Sequence, residues 1–360
     1  MQTEPKVCFY LGANSPGGFY SLYDELLRPE EARSIYILKG GPGCGKSSLM
    51  RRVGAAMEEH GLDVEYIVCS GDPDSLDAVV IPALKTALVD GTAPHVVEPK
   101  YPGLVEEYVN LGACYDREGL QGVRDGLMGC MKGYKGCYQR AYRCLTAAAQ
   151  IGEDVRALLL TPAVEAKMSK RARGILSREI KKGDGDAGRA VRRFLGAVTW
   201  KGALCNFETV EALCRRVYEL SDPYGMAHPM LSQLAAGALA AGHDAILCPS
   251  PLYPDRLEHL LLPGLSLAFV TGTPALPWPK RPYRRIRVDA MADAELLHRS
   301  RARLKFSRKV SAALVDEAVD SLAQAKAMHD ELEKLYNPHV DFGRVYETAE
   351  EIISSLTAQM

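Results

Sequence analysis

Residues 34–61 read SIYILKGGPGCGKSSLMRRVGAAMEEHG, and this stretch decides the fold class. An apolar run from Ile35 to Leu38 is a strand, and the amphipathic segment that starts near Lys46 is a helix closed by Gly61 after His60. Between them, Gly40, Gly41, Pro42, Gly43, Cys44, Gly45, Lys46 and Ser47 match GxxxxGK[ST] in strand-loop-helix context. Glycines let successive backbone N–H groups turn inward as an anion-binding nest, and the helix start points its positive dipole end at the same place. The expected ligand is a nucleoside triphosphate held by Gly40 to Ser48. Lys46 reaches the terminal phosphates and Ser47 ligates Mg²⁺.

A magnesium site of this kind needs an acid at the end of a neighbouring strand. The run Ala87 to Val89 ends in Asp90, which is the expected second metal-side residue; Asp90 followed by Gly91 is also a common way to open a turn. No Glu follows Asp90 to orient water, so His95, with Glu98, is the candidate for that role.

Working outward, residues 9–92 are echoed in 194–273. FYLGANSPGGFYSLYDELL parallels FLGAVTWKGALCNFETVEALC, pairing Gly12 with Gly196, Ala13 with Ala197 and Gly18 with Gly202. PDSLDAVVIPALKTALVDGT, from Pro73, parallels PDRLEHLLLPGLSLAFVTGT, from Pro254, with nine of twenty positions identical at an offset of 181. In the second copy Gly40 aligns with Asp222, Lys46 with His228, Ser47 with Pro229, Asp90 with Thr271 and His95 with Leu276. Pro229 removes a donor and a hydroxyl, and Asp222 places a negative charge where phosphate would lie. The second copy is therefore expected not to bind nucleotide.

The reading is an α/β P-loop fold of three layers with a mostly parallel sheet, written twice as a tandem duplication with helical appendages. Residues 1–192 form the first domain, with an α/β core over 1–103 and a helical region over 104–192. Residues 193–360 form the degenerate second, with a core over 193–289 and helices over 290–360. A basic cluster at Lys170, Arg171, Arg173 and Arg178 reads as a solvated helix face rather than a lid. The triplet from Asp341 to Gly343 spells DFG without the other kinase motifs and carries no catalytic meaning.

The whole chain fits these assignments. It has 360 residues, 47% hydrophobic and 25% charged, with 44 basic against 45 acidic side chains. Such a chain buries a large core and has no global attraction to nucleic acid or to an anionic membrane. No apolar run spans a bilayer and no secretory leader is evident, so a cytoplasmic protein is expected; the ten cysteines contain no CxxC pair.

FYLGANSPGGFYSLYDELL, YILKGGPGCGKSSLMRRVG, VCSGDPDSLDAVVIPALK, LVDGTAPHVVEPKYPGLVEEYVNLG and the terminal YNPHVDFG together resemble a family of uncharacterised bacterial P-loop ATPases. The resemblance implies a nucleoside triphosphatase fold with ATP bound at Gly40 to Ser48. The guanine-reading [NT]KxD pattern is absent, which favours ATP over GTP. Three functions follow: a Mg²⁺-dependent ATPase, a small-molecule kinase using an acid near Asp72 or Asp77, or a nucleotide sensor whose helices bind a protein partner.

Overall fold

The structure, a computed structural model, describes residues 6–183 and 185–360. The first half begins with β1 (Val7–Phe9), a hairpin of β2 (Gly12–Ser15) and β3 (Gly18–Ser21), then β4 (Ser34–Lys39) and α1 (Lys46–Glu59). It continues through β5 (Glu65–Val68), β6 (Leu76–Ile81), β7 (Thr86–Asp90) and β8 (Glu106–Asn110) to α2 (Arg117–Gly122), α3 (Arg124–Leu159) and α4 (Pro162–Glu179). The second half runs β9 (Ala190–Arg192), β10 (Gly196–Thr199), β11 (Gly202–Cys205), α5 (Phe207–Leu213), β12 (Arg216–Ser221) and α6 (His228–Ala240). It ends with β13 (Ala245–Pro249), β14 (Leu257–Leu262), β15 (Leu267–Gly272), β16 (Arg284–Arg287), α7 (Ala294–Arg299), α8 (Arg301–Tyr336) and α9 (Phe342–Thr357).

Each half carries a six-stranded mixed sheet, in the order β1-β5-β6-β7-β4-β8 and, matching it position for position, β9-β13-β14-β15-β12-β16. Three of the five pairings in each sheet are parallel, as expected, but β6 runs antiparallel to both β5 and β7, and β14 does the same between β13 and β15. The connections from 69 to 75 and from 82 to 85 are too short for a parallel crossover, which needs a dozen or more residues. Details repeat across the halves. A register shift falls between Ile67 and Val68 and between Cys248 and Pro249, and Lys85 and Ser266 both adopt positive φ, at 51° and 48°.

The layering also differs from three layers per half. In β4, Ile35 and Ile37 face one apolar cluster and Tyr36 and Leu38 face another. The first cluster also holds Val217, Ala268 and Val270 of the second sheet, so the two sheets cover each other's inner faces. α1 and α6 cover the outer faces, giving a helix–sheet–sheet–helix arrangement, while the short α5 joins the inner cluster through Val210. Where the halves meet, Tyr10 and Phe194, equivalent residues, exchange backbone hydrogen bonds of 2.9 Å each. The Asn14 amide donates to Val198 O at 2.9 Å, and buried Arg193 binds Glu65 at 2.5 Å.

The helical regions do not sit on the cores they follow. Val164, Met168, Ala172 and Ile175 of α4 pack with Leu231 and Leu234 of α6 on the second sheet, whereas Val345, Ala349, Ile352 and Leu356 of α9 pack with α1 on the first. The long helices α3 and α8, 36 residues each, pair with one another and close over the hairpins through Ala141, Leu145, Ala318, Leu322 and Val198. Lys170, Arg171, Arg173 and Arg178 are exposed on α4, as a solvated face requires. Asp341 is the N-cap of α9, accepting from Arg344 N at 3.2 Å, which accounts for the DFG letters. No helix among the described residues is long and apolar enough to cross a membrane.

Shared cores predict shared unfolding. Leu356→Ala in α9 and Ile175→Ala in α4 remove fully buried side chains, and each should cost about 2–5 kcal/mol. Each is expected to lower the urea midpoint of one cooperative transition covering both halves. Two separable transitions, with only one shifted by each variant, would refute the shared core.

Candidate functional site

The glycine-rich loop leaves the carboxyl end of β4, between two parallel neighbours, β7 and β8. Gly43 and Gly45 have φ of 69° and 85°, a left-handed backbone that a side chain resists, so the motif's glycines are needed where they stand. α1 then starts at Lys46. The Lys46 Nζ donates to Gly40 O at 2.7 Å and Gly41 O at 2.9 Å and lies 3.5 Å from Asp90 Oδ2. Asp90 ends β7 opposite Leu38, so the parallel ladder is what brings acid and lysine together.

Asp90 opens the turn that its Asp-Gly pair suggests and also faces the loop lysine. Its Oδ1 accepts from Thr92 N at 2.8 Å, opening the turn, while Oδ2 faces Lys46. Ser47 Oγ accepts from Leu76 N at 2.9 Å, which ties α1 to the start of β6. A hydroxyl has a second lone pair, so this bond leaves Ser47 able to ligate a cation. Ser48 is exposed, and Cys44 is buried beneath the loop.

The two loops differ most in what their N–H groups bind. Among the described residues, the backbone N–H groups from Gly43 to Ser48 donate to no protein acceptor. In the second half, Asp222 occupies the position of Gly40, and its carboxylate accepts from Ala227 N at 2.6 Å and Tyr224 N at 3.2 Å. The second loop is thus folded around an anion of its own. It is also one residue shorter, which corrects the alignment made from sequence. Leu257 N donates to His228 Nδ1 at 2.9 Å just as Leu76 N does to Ser47, so His228 replaces Ser47 and Ala227 replaces Lys46. The buried faces of α1 and α6 agree: Leu49, Met50 and Val53 match Met230, Leu231 and Leu234.

The chain's carboxyl-terminal joint lies over the first loop. Tyr115 donates to Pro42 O at 3.3 Å, and the Asn337 amide, oriented to donate, reaches Gly43 O at 2.9 Å. Phe342 and Val345 pack beside Gly45, where an added Cβ would meet Val345 at 3.2 Å. No motif search finds this contact, because α8 and the loop are almost three hundred positions apart.

His95 is buried, with Nε2 3.4 Å from Asp77 Oδ1 and its ring between those of Phe19 and Tyr23. Tyr23 donates to Asp77 Oδ2 at 2.7 Å, and burial raises the Asp77 carboxyl above its usual range. Glu98 is instead on the surface, paired with Lys39 at 3.1 Å. Asp72 is engaged with Ser75 at 2.8 Å and Lys326 at 3.4 Å.

In the second half a cavity of about 740 Å³ opens at the same sheet edge, lined by Asp222, Tyr224, His228, Glu258, His259 and Thr271. Burial pushes Asp222 up to about 6, opposed by the loop N–H groups, and Glu258 up to about 7. Lys201, Arg256 and Arg308 line the cavity as well, beside a larger apolar surface. No protein-family model matches the chain, and no curated protein or solved structure matches it.

Both acids hold protons more tightly in the folded chain than in the unfolded one. The stability they contribute is therefore complete below their unfolded values of 3.8 and 4.5 and is lost as pH rises through about 6 and 7. Glu258→Gln should melt several degrees above the parent at pH 8 and close to it at pH 4. Parallel melting curves across that range would show that Glu258 carries no such burden.

Proposed function

We propose that this chain is a Mg²⁺-dependent ATPase of the P-loop class, built as a tandem duplication in which only the first half keeps a nucleotide site. One observation carries the reading: the second loop wraps its N–H groups around the Asp222 carboxylate, while the first has glycine at that position and N–H groups with no protein acceptor. The same nest therefore calls for an anion from outside the chain. The motif Gly40 to Ser47 and the likeness to bacterial P-loop ATPases identify that anion as a nucleoside triphosphate.

The residues fit the bound groups. Lys46 is already at the loop's mouth, where its ammonium exchanges the carbonyls of Gly40 and Gly41 for phosphate oxygens. Ser47 Oγ and Asp90 Oδ2 are the oxygen donors for magnesium, a hard cation suited to hydroxyl and carboxylate. Bound magnesium neutralises charge that develops on the phosphates during transfer. Asp90 meanwhile holds Lys46 in register through the β4–β7 ladder. Tyr336, Asn337 and Phe342 cover the loop, so nucleotide binding works against a contact that leads into α8 and α9.

Full-length protein and Lys46→Ala should be compared for ATP binding and for phosphate release with and without Mg²⁺. Loss of the lysine is expected to reduce release by roughly 100-fold, the scale of removing one preorganised charge-stabilising donor. His228→Ala should leave ATP binding unchanged. Equal ATP affinity in wild type and Lys46→Ala would sink the assignment, and release seen only with an added acceptor metabolite would replace hydrolysis by transfer.

A further inference from the structure

One cluster in the first half is not absorbed by nucleotide chemistry. Cys69 follows β5, Asp77 lies in β6 and His95 lies beyond β7, and a sulfur, a carboxylate oxygen and an imidazole nitrogen from these three lie within 4.8 Å of one another. Asp77 is 3% and His95 7% exposed. Their 3.4 Å contact is longer than the 2.7–2.9 Å or so of a charge-assisted hydrogen bond, and His95 Nδ1 is buried with no hydrogen-bond partner. The Tyr23 hydroxyl fixes the other Asp77 oxygen at 2.7 Å, as an outer-shell partner fixes a ligating carboxylate.

The second half supplies a comparison. By strand register and turn hydrogen bonds, Cys69 corresponds to Ser250, Asp77 to Glu258 and His95 to Leu276. Sulfur and imidazole are lost together there, as ligands of one ion would be. A thiolate and a carboxylate carry two negative charges, which a divalent ion neutralises.

We propose that Cys69, Asp77 and His95 form a binding site for a divalent metal of zinc type. One sulfur, one nitrogen and one oxygen donor suit Zn²⁺ or Co²⁺ and not Mg²⁺, which takes oxygen ligands. Three protein ligands leave a fourth position for water. The site is separate from the magnesium ligands Ser47 and Asp90, although Asp77 lies one residue beyond the Ala78–Val89 pair of the ladder and so neighbours Asp90.

The test uses the full-length chain, stripped with EDTA, dialysed and titrated with Co²⁺ and then Zn²⁺. One equivalent of Co²⁺ should produce a thiolate-to-cobalt charge-transfer band and the visible bands of a tetrahedral ion, and Zn²⁺ should displace both. Cys69→Ser should abolish the charge-transfer band, and His95→Asn should weaken Zn²⁺ binding at least tenfold in a chelator competition. His329→Ala, in the separate cluster with Asp330 and Glu333, should change neither. Circular dichroism reports whether each variant folds, and if one does not, the other and the wild-type titration decide. Absence of the charge-transfer band in wild type, a band that survives Cys69→Ser in folded protein, or an unchanged Zn²⁺ affinity in folded His95→Asn overturns the proposal.

Discussion

The apolar layer between the two sheets is the constraint on which the rest depends. A sheet with apolar residues on both faces must bury both, and here each sheet buries its inner face on the other. Val217, Ala268 and Val270 meet the cluster that holds Ile35, Ile37, Ala87 and Val89. The reciprocal Tyr10–Phe194 bridge fixes how the sheets face each other, because equivalent residues can exchange hydrogen bonds only across a local two-fold. Everything functional is positioned from there. The loop, Asp90 and the second-half cavity all sit at the edges of two sheets whose relative placement this layer sets.

Against that common frame, the halves part in the chemistry of their loops. Where the first loop has Gly40, the second has Asp222, whose carboxylate accepts from the loop's own N–H groups, and the shorter second loop dispenses with the lysine altogether. What remains in the second half is a largely apolar cavity whose lining includes Asp222, Glu258 and Arg256. In the first half, the loop is overlain by Tyr336, Asn337 and Phe342, at the joint between α8 and α9.

Much of this was legible in the chain. The strand, loop and helix of 34–61 fall where glycine chemistry and amphipathic spacing place them, and Asp90 ends its strand beside the loop because local apolar runs mark strands well. The internal echo anticipated two sheets of matching order. Short connections could have shown that β6 and β14 run antiparallel. Other features were hidden for physical reasons. Periodicity tells that a strand has two apolar faces but not what covers each, so the sheet-on-sheet layer was invisible. Aligning the loops by letter put His228 against Lys46, whereas the hydrogen bond from Leu257 N puts it against Ser47. Cys69, Asp77 and His95 span 26 positions on three separate segments, and only the folding of β5 to β7 brings them together.

The crossing of α4 and α9 between the halves has a consequence for how the protein is made. The outer face of the first sheet, with Leu49, Met50 and Val53 of α1, is completed by Val345, Ala349, Ile352 and Leu356, which are made almost three hundred residues later. Domains usually fold as units during synthesis, amino-terminal first. Here the first sheet cannot close its core until α9 has been made. The nascent chain therefore carries exposed apolar surface until α9 has emerged, and only then does the glycine-rich loop acquire its cover.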